Sequence, residues 1–594
     1  MIVGIDLGTS TSEIAYLDKN NRVVVIPNID GELITPSIIH IKRNGRAVIG
    51  NEAKELLFTR PESTFIEVKR EFGKDVKLTA HGVEYAPEEI QARLISYLVD
   101  SAEQYTGEDV TSAVITVPAY FTDVQRKQTI RAGELANLKV ERIINEPTSA
   151  ALDYGLHNLE KNEYILVYDF GGGTLDVTVL ELFDGVIDVK ASSGNNRLGG
   201  KDFDSALMEF IAGRHYGAIQ ADPGAKMKLK QAAESCKIAL SADESTNVRL
   251  PLICGDISIS RAVTRADFEN LIGAMVESTG EQIDAAMRDA GLAPSDIGRV
   301  ILVGGTTRVP LVKRFVREKL GIKPQINDTS GGAPESNAAE ASPELMVVRG
   351  AAIQSAIIEN RIPTDKSVIL ADICPFTLGL QVVSQNGLIV DPLINRNVTI
   401  PYDFSNVYSA LHEKQDAIMF QIYQGESKIP QENVRIGQLY LDKLPKRQNE
   451  RANAEVTFSY DVSGVLHVKA RALGNDNTVA TDIDINNNDQ PNRPAVRLSD
   501  WEKAGNASHY RPLLRKAEKL MDKYIGTQEF IDSDMYVLQK MCNDLKADLI
   551  LADLDAADKT VEHIKSCLEL MTLFDKTMGR YKKLTEDDDS IDYD

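Results

Sequence analysis

The sequence predicts an α/β domain of two similar lobes, followed by a β-sandwich and then by a helical segment. Two short loops that begin with aspartate, DLGTS and DFGGGT, each follow an apolar run typical of a buried strand. Alternating apolar and polar positions, broken by Gly, Asn and Asp turns, extend from Ile373 to about Asn487. Beyond Leu498, apolar residues recur at the spacing of a helical face.

The two loops share a chemistry that suits a phosphate chain with magnesium. Each offers backbone N–H groups at glycines, hydroxyls and one carboxylate at the end of a strand. Asp6 and Asp169 are the candidates to hold Mg²⁺, mainly through its waters, because magnesium dehydrates reluctantly. The candidate phosphate-binding residues are Gly8, Thr9, Ser10, Gly171, Gly172, Gly173 and Thr174. Either loop alone could be an ordinary strand-to-turn corner, but two in one chain predict a nucleotide clamp.

Further turns fit the same clamp. Gly304 and Gly305 follow the apolar run Val300 to Val303, and an adenosine could lie over this turn. Two other strand-to-helix corners contain the sequences PAYF and INEPT. Most such turns are only structural, so these segments are weaker signals than the two aspartate loops.

Taken together, these motifs resemble the 70-kDa heat-shock chaperone family, in its bacterial, DnaK-like branch, within the actin-like and sugar-kinase ATPase group. The resemblance extends from Met1 to about Asn487. Its motifs are GIDLGT at residues 4–9, PAYF at 118–121, INEPT at 144–148, DFGGGTLDV at 169–177 and LVGGTTRVP at 302–310. The first domain is therefore expected to have the two-lobed, actin-like ATPase fold and to bind ATP or ADP with Mg²⁺ and K⁺.

The resemblance also implies roles for single residues. Lys69 is implied to lie beside the γ-phosphate and to assist the attacking water, although a lone lysine could equally lie on a solvated face. Glu146, Asp176 and Thr174 are implied to position water and ions at the same phosphate. The residues implied to grip the adenosine are Glu234, Lys237, Ser241, Gly305, Thr306 and Arg308, with the adenine between Ile238 and Arg308. Arg142 matches a position that meets J-domain partners.

We predict five segments along the chain. They are the ATPase domain at 1–365, an interdomain linker at 366–372, a polypeptide-binding β-sandwich at 373–497, a helical lid at 498–585 and an acidic disordered tail at 586–594. The linker segment KSVILAD could also be an edge strand. Family members usually have an acid-rich helix start where this chain has Ser342, Pro343 and Glu344, and the lid is shorter than usual.

The β-sandwich is implied to bind an extended stretch of unfolded polypeptide through main-chain hydrogen bonds and one apolar pocket. The residues that match this pocket are Leu380, Val382, Val383, Tyr408, Leu411, Ile418 and Phe420, each of which could instead be core. Val383, Leu411 and Phe420 are departures from the commoner family residues. A bulkier pocket predicts a narrower set of clients than that of a general housekeeping relative.

Composition limits the other functional classes. A net charge of −22 argues against binding to nucleic acid or to an anionic membrane. The five cysteines have no CxxC spacing, so neither a zinc site nor a disulfide framework is indicated. Residue 2 already starts an apolar strand and no apolar run is long enough to span a membrane, so we expect neither a signal peptide nor a transmembrane helix, and a cytoplasmic location.

The sequence thus predicts an ATP-dependent chaperone that binds and releases apolar segments of unfolded polypeptides, as a specialised paralogue with a role in protein folding and stress response. A J-domain co-chaperone and a nucleotide exchange factor are the implied partners. Two alternatives remain open: a small-molecule kinase, and an ATP-binding regulatory or filament-forming module on the same fold.

Overall fold

The computed structural model describes residues 1–57, 59–156, 158, 161–321, 343–362, 368–384, 387–411, 415, 417–445, 450–474, 477–482, 501 and 507–524, and positions 538, 541, 542, 545, 546, 549, 557, 558, 560–562, 564, 565 and 568. The predicted acidic tail 586–594, Ser342 of the unusual helix start, the linker residues 366–367 and most of the predicted lid lie outside these residues.

The strands and helices follow the apolar patterns of the sequence. The strands are β1 (Ile2–Leu7), β2 (Thr11–Leu17), β3 (Val23–Val25), β4 (Thr35–Pro36), β5 (Ile38–Ile41), β6 (Ala47–Ile49), β7 (Thr64–Ile66), β8 (Leu78–Ala80), β9 (Val83–Tyr85), β10 (Ser112–Val117), β11 (Lys139–Asn145), β12 (Glu163–Phe170), β13 (Leu175–Phe183), β14 (Val186–Asn195), β15 (Ser245–Cys254), β16 (Ile257–Thr264), β17 (Ile297–Val303), β18 (Ile369–Ile373), β19 (Leu378–Ser384), β20 (Gly387–Ile394), β21 (Thr399–Ile400), β22 (Tyr402–Ser409), β23 (Ile418–Gln424), β24 (Val434–Leu441), β25 (Asn453–Tyr460), β26 (Leu466–Ala472) and β27 (Thr478–Asp482). The helices are α1 (Asn51–Leu56), α2 (Pro87–Thr106), α3 (Asp123–Leu135), α4 (Glu146–Leu156), α5 (Gly200–Ala212), α6 (Tyr216–Gln220), α7 (Pro223–Ala242), α8 (Arg265–Ser278), α9 (Gly280–Ala290), α10 (Pro310–Leu320), α11 (Met346–Ile358) and α12 (Ala507–Tyr524).

The chain divides into two compact units. The first contains Met1–Phe376 with the short segments Arg396–Tyr402 and Tyr460–Val465, and the second contains the remaining residues from Thr377 onward. This division places the described part of the predicted linker in the first unit. The domain limits given above remain predictions.

Two of the sheets in the first unit are each built around a strand that ends in one of the aspartate loops. One sheet has the order β11-β10-β1-β2-β3, with β4 paired to β2. The other has the order β17-β12-β13-β14-β18-β21. In both sheets the aspartate strand pairs in parallel with one neighbour and in antiparallel with the other, so the two lobes repeat one local design.

Helices α4 and α11 share an apolar core with strands of both sheets. This core includes Ile144 and Val114 from the first sheet, Val167 from the second, and Ala151 and Ile353 from the two helices. The helices cross closely because Gly350 has no side chain: a Cβ at this position would overlap the backbone of Ser149. The two aspartate loops are thus held on one packed scaffold.

The second unit contains two four-stranded sheets with the orders β20-β19-β23-β24 and β22-β25-β26-β27. Alternate residues of β25 are buried, as expected for a strand with one face on a core. The ring of Tyr408 on β22 meets that of Phe420 on β23, with centroids 6.1 Å apart, so the two sheets contact each other through side chains. This is the predicted β-sandwich.

The described helical residues beyond Trp501 form an apolar cluster of their own. Leu514, Leu538, Leu545 and Ile564 are all fully buried in it, and Met419 of β23 packs against it. Among the described residues, no helix is both long enough and apolar enough to cross a bilayer.

Candidate nucleotide site

The first aspartate loop is the turn between β1 and β2. Asp6 is buried near the end of β1, where one of its carboxylate oxygens accepts a hydrogen bond of 2.6 Å from the hydroxyl of Thr116 on β10. Gly8 is the first residue after β1, and a Cβ at this position would overlap the carbonyl of Thr11. The tight hairpin therefore requires glycine and presents the Thr9 and Ser10 positions beside the buried carboxylate.

The second aspartate loop is the turn between β12 and β13. Asp169 lies directly opposite Asp176 in this antiparallel pair, so both carboxylates are on the same face of the sheet. The N–H of Gly171 donates to the carbonyl of Thr174 at 3.0 Å, which closes the turn. Gly172 lies against the first loop, where a Cβ would overlap the hydroxyl of Ser10. The structure thus brings the two loops into contact.

A buried ion pair lies next to these loops. Lys69 follows β7 in a short 3₁₀ turn, is 3% exposed, and its Nζ donates to Oε1 of Glu146 at 2.7 Å. Glu146 is the first residue of α4, directly after β11. The Lys69 ammonium also lies 5.2 Å from the centre of the Phe121 ring in the PAYF segment. The INEPT and PAYF motifs therefore both contact this one lysine.

Electrostatics in this region are dominated by acids. Burial, and then the charge of Glu146, raise the pKa of Asp6 to about 7. The same two causes raise the pKa of Asp176 to about 7. Burial and the charges of Glu146 and Asp176 raise the pKa of Asp169 well above its usual range. These carboxylates are short of positive charge, which a cation would supply.

The donor set fits magnesium held through water. Asp6 and Asp169 are hard oxygen ligands, and both are crowded by like charge in a buried site. Within the described part of the chain, no group of three or more His, Cys, Asp or Glu residues is close enough to hold a metal ion by itself. A cation here would therefore complete its coordination with water and phosphate oxygens, as Mg²⁺ usually does.

The other side of the cleft is formed by α7 and by the turn after β17. Lys237 on α7 pairs with Asp204 at 2.8 Å, and the Ser241 hydroxyl donates to the carbonyl of Lys237 at 3.2 Å. Gly304 has a φ of +82°, where a Cβ would also crowd the carbonyl of Phe170. The hydroxyl of Thr306 donates to the carbonyl of Gly171 at 2.8 Å, which joins this turn to the second aspartate loop.

The side chains predicted to enclose the adenine are accessible. Ile238 is 63% exposed on α7. Arg308 is also largely exposed, and its guanidinium donates to Glu344 at 3.0 Å. An apolar side chain and a planar cation are therefore available to contact an aromatic base.

Most residues of the predicted nucleotide site line one cavity of about 770 Å³. Of the predicted residues, its wall contains Asp6, Gly8, Thr9, Ser10, Glu146, Asp169, Gly171, Gly172, Thr174, Glu234, Lys237, Ile238, Ser241, Gly304, Gly305, Thr306 and Arg308. Lys69, Gly173 and Asp176 are not in this wall. Lys69 contacts Glu146 in the wall, and Asp176 lies opposite Asp169.

Sequence reasoning missed several charged residues of the cleft. Glu13 and Lys313 line the cavity, as does Glu344, which was noted only as part of an unusual helix start. Glu67, two residues before Lys69, pairs with Lys201 at 3.2 Å and with Lys230. The pairing of Glu13 with Asp6 could have been found from the hairpin register. The Glu67 contacts join residues more than 130 positions apart, and no local pattern indicates them.

The residues of the predicted peptide pocket are distributed over three strands and one loop of the second unit. Leu380 and Phe420 are buried, whereas Val382, Ile418, Tyr408 and Leu411 are half-buried. The Tyr408 hydroxyl donates to Asp391 at 2.8 Å. Val383 is 40% exposed. Tyr408 and Phe420 are in contact, and their assignment to a peptide pocket remains a prediction.

Arg142 is only partly accessible. Its guanidinium donates to Gln354 on α11 at 3.3 Å. Burial lowers the pKa of Arg142, while the charges of Asp372 and Asp461 act in the opposite direction. Its predicted contact with a J-domain partner also remains a prediction.

Comparisons with known proteins agree with the resemblance drawn from the motifs. A model of the family described as Hsp70 protein matches residues 2–81 and 74–573. Proteins described as chaperone protein DnaK from Thermotoga petrophila and Thermotoga maritima are each 41% identical over 483 residues, which is 80% of this chain and 78% of theirs. The protein of the same description from Thermosipho africanus is 41% identical over 482 residues. The prediction of the family is confirmed, and the chain belongs to the Hsp70 family.

Proposed function

We propose that the cavity between the two aspartate loops binds ATP and that Lys69, Glu146, Thr174 and Asp176 promote its hydrolysis. The protein is an ATP-dependent molecular chaperone and an ATPase, as its family membership establishes. The observation that carries the assignment of residues is the contact between the two loops, at Gly172 and Ser10, beside the buried Lys69–Glu146 pair.

In this proposal Lys69 acts on the attacking water and on the charge of the γ-phosphate. Its ammonium is fixed by Glu146 at 2.7 Å and by the face of the Phe121 ring, so little reorganisation is needed when the phosphate enters. Asp176 is held in place by the backbone N–H of Tyr120 at 3.2 Å and orients water on the same side. The Thr174 hydroxyl donates to a phosphate oxygen.

Asp6 and Asp169 would hold Mg²⁺ through its waters. When bound, the ion supplies positive charge that neutralises the phosphate chain and the surrounding carboxylates. Backbone N–H groups of the two glycine loops orient the phosphates, and Glu234, Lys237, Ser241, Gly305, Thr306 and Arg308 bind the adenosine. We also assign K⁺ to this site as a second cofactor.

The nucleotide state is proposed to reach the client through β18. This strand pairs in parallel with β14, and its Leu370 packs against the core shared with α4 and α11. ATP then favours fast exchange of an unfolded polypeptide on the β-sandwich, and hydrolysis favours retention under a helical lid formed by residues 498–585. A J-domain co-chaperone acting near Arg142, a nucleotide exchange factor and a cytoplasmic location complete the proposal.

Release of a fluorescent unfolded peptide tests this function. We expect ATP, compared with ADP, to accelerate release from the wild-type protein. In a Lys69→Ala variant ATP should still accelerate release, but the peptide should not be trapped again as time passes, because ATP persists. Equal release rates with ADP and ATP in the wild-type protein would contradict the proposal.

The two alternative functions have less support. A small-molecule kinase has no use for the β-sandwich of the second unit, and a filament-forming module has no use for an apolar peptide pocket. Membership of the Hsp70 family does not favour either alternative.

A further inference from the structure

Helix α12 has an apolar face and a basic face. The residues buried in the apolar cluster beyond Trp501 are Ala507, Tyr510, Leu514 and Ala517. The other side of the helix carries four cationic side chains, Arg511, Arg515, Lys516 and Lys519. These four line a groove of about 640 Å³, and none of its described lining residues is acidic. We call it the α12 groove.

The cations of the α12 groove repel one another. Arg511, Arg515 and Lys519 are four residues apart, so they form one row on the helix surface, and like charges at this spacing destabilise a helix. Arg515, Lys516 and Lys519 are exposed, and none of them forms an ion pair with a described residue. Glu518, in the same helix, pairs with Lys546 instead, at 2.9 Å. The groove therefore favours a partner with several negative charges.

The chain itself contains a segment of complementary charge, the predicted acidic tail 586–594. Its sequence, EDDDSIDYD, has six acidic residues among nine and no lysine or arginine. The net charge of −22 means that the field of the whole molecule repels such a segment. Four cations without an acid among the described lining residues make the α12 groove a local exception to that repulsion.

The acidic tail can reach the groove. Leu568 is buried in the same apolar cluster as Leu514 of α12, so this point of the chain lies close to the helix. Residue 586 comes 18 positions after Leu568. A stretch of this length can span up to about 60 Å, whereas the row of cations from Arg511 to Lys519 is only about 12 Å long. Chain length therefore places no obstacle to a contact within one molecule.

We propose that the α12 groove binds the acidic tail 586–594 of the same chain. Carboxylates of the tail accept charge-assisted hydrogen bonds from the guanidinium and ammonium groups of the groove. Binding relieves the repulsion within the row of cations. Because the groove is exposed to solvent, the contact weakens as salt screens the charges.

Carbodiimide crosslinking of the full-length protein tests this contact. The reagent joins a carboxylate to a lysine amine without a spacer, so it reports only groups that touch. At low salt we expect mass spectrometry to find amide bonds from Asp587, Asp588 or Asp589 to Lys516 and Lys519. Salt at about 1 M shortens the screening length to about 3 Å and should lower their yield at least about fivefold.

An equal mixture of protein with natural nitrogen and protein labelled with ¹⁵N shows whether the tail belongs to the same molecule. Each crosslinked pair of peptides should carry a single label. Pairs of mixed label would mean that the groove binds the tail of a second copy, and would overturn the proposal. Absence of crosslinks from the tail to both lysines at low salt would overturn it as well.

Reversal of one charge in the groove provides a matched comparison. Arg515→Glu leaves Lys516 and Lys519 in place as reporters and should lower their crosslinking to the tail at least about fivefold. Lys565→Glu is the control, because Lys565 is exposed outside the groove and the substitution changes the net charge equally. Equal crosslinking in Arg515→Glu and in the wild-type protein would contradict binding in this groove.

Acetylation of lysines supplies a readout that does not consume the carboxylates. A bound tail favours the charged ammonium form of nearby lysines, and only the neutral amine reacts. Replacing Asp587, Asp588 and Asp589 together by asparagine should therefore raise the reactivity of Lys516 and Lys519 by about threefold. Lys565 is the internal reference. Unchanged reactivity of both groove lysines relative to Lys565 would overturn the proposal.

Discussion

At the scale of single residues, the cleft combines a few buried charges with very different surroundings. Lys69 and Glu146 satisfy each other at 2.7 Å, whereas Asp6, Asp169 and Asp176 crowd one another. The ion pair holds the Lys69 side chain in place before any reaction. The three aspartates keep negative charge that a cation could neutralise. Both depend on burial, because the same pairs in water would interact weakly.

Replacement of Lys69 by alanine should slow ATP hydrolysis by a factor of about 100 or more, the usual effect of losing a group that acts on the reacting water. Single-turnover hydrolysis of bound ATP measures this step without interference from nucleotide release. Lys19→Ala serves as the control, because Lys19 lies on the surface. Hydrolysis at the wild-type rate in Lys69→Ala would show that the lysine has no catalytic role.

Glu67 should make folding stability depend on pH. Burial alone would raise its pKa, but Lys201 and Lys230 lower it from 4.5 to about 2. A lowered pKa in the folded state stabilises the protein above the unfolded value, and this contribution is lost as pH falls toward the folded value. Glu67→Gln should therefore cost about 3 kcal/mol at neutral pH and roughly 40% of that at pH 3.

Denaturant unfolding at the two pH values compares Glu67→Gln with the wild-type protein. Glu71→Gln is the control, because its pair with Lys74 is more exposed and should contribute less than about 1 kcal/mol. A cost for Glu67→Gln that stays constant between the two pH values would mean that the ionised carboxylate is not the source of the stability.

At the scale of secondary structure elements, β18 consists mostly of residues predicted as the interdomain linker, and it is a strand of the sheet that carries Asp169. Residues 369–371 pair with 186–188 of β14. The side chains of this strand have opposite surroundings: Leu370 packs against the core with α4 and α11, and Ile369 is 63% exposed. This difference provides a test of coupling within one strand.

Leu370→Asp should abolish the acceleration of peptide release by ATP and leave hydrolysis close to the wild-type rate, because a charge cannot be buried in that core without large cost. Ile369→Asp introduces the same charge one position earlier on the exposed face and should leave the acceleration intact. Stopped-flow peptide release and ATPase rates are measured on both variants. Equal behaviour of the two variants would exclude a role for the packing of β18.

The peptide pocket leads to a prediction about clients. Phe420 is buried against Tyr408, so the face of β23 that we assign to the predicted peptide pocket carries a large ring. We expect a cellulose-bound peptide array to show a narrower set of bound sequences than a DnaK relative shows, with fewer leucine-rich peptides. Phe420→Ile, with a smaller aliphatic side chain, should broaden the set. The usual leucine-rich preference in the unmodified protein would contradict this prediction.

Strands and loops could be predicted from the sequence where a short run of neighbouring residues determines the local structure. The strands before Asp6 and Asp169 follow from uninterrupted apolar runs, and the loops follow from glycines with an acid and hydroxyls. Glu13 was missed because its place in the cavity wall follows from the register of the β1–β2 hairpin, which has to be worked out across the turn and is not given by the neighbouring residues. The contacts of Glu67 with Lys201 and Lys230 exist only after the two lobes have packed together.

At the scale of the whole molecule, negative charge is a property shared by the chain and by its principal cavity. The net charge is −22, and carboxylates outnumber cationic side chains two to one in the cavity wall. An anionic nucleotide should bind to such a surface only with the help of cations. Cations neutralise the carboxylates in the cavity wall, and they also screen the negative potential of the whole protein.

Removal of divalent cations should therefore weaken ADP binding by at least about 100-fold, equivalent to about 2.7 kcal/mol. Competition binding in the presence of EDTA measures the effect, with added salt restoring the ionic strength in the control. Affinity that is unchanged by EDTA would mean that protein side chains alone neutralise the phosphates.

Strand β14 has Gly194 opposite Asp176 near one end and Val186 beside Ile369 at the other. Side chains alternate between the two faces of a sheet, except at the bulge of β14 opposite Val179 and Leu180. Inserting or deleting one residue elsewhere between these points would therefore reverse the face on which the side chains of one end lie, relative to the other end. Length variation among related chains is thus expected in the turn at Asp184 and Gly185, which precedes both contacts. Within β14 itself, changes in length should be rare, and those that persist should come in pairs.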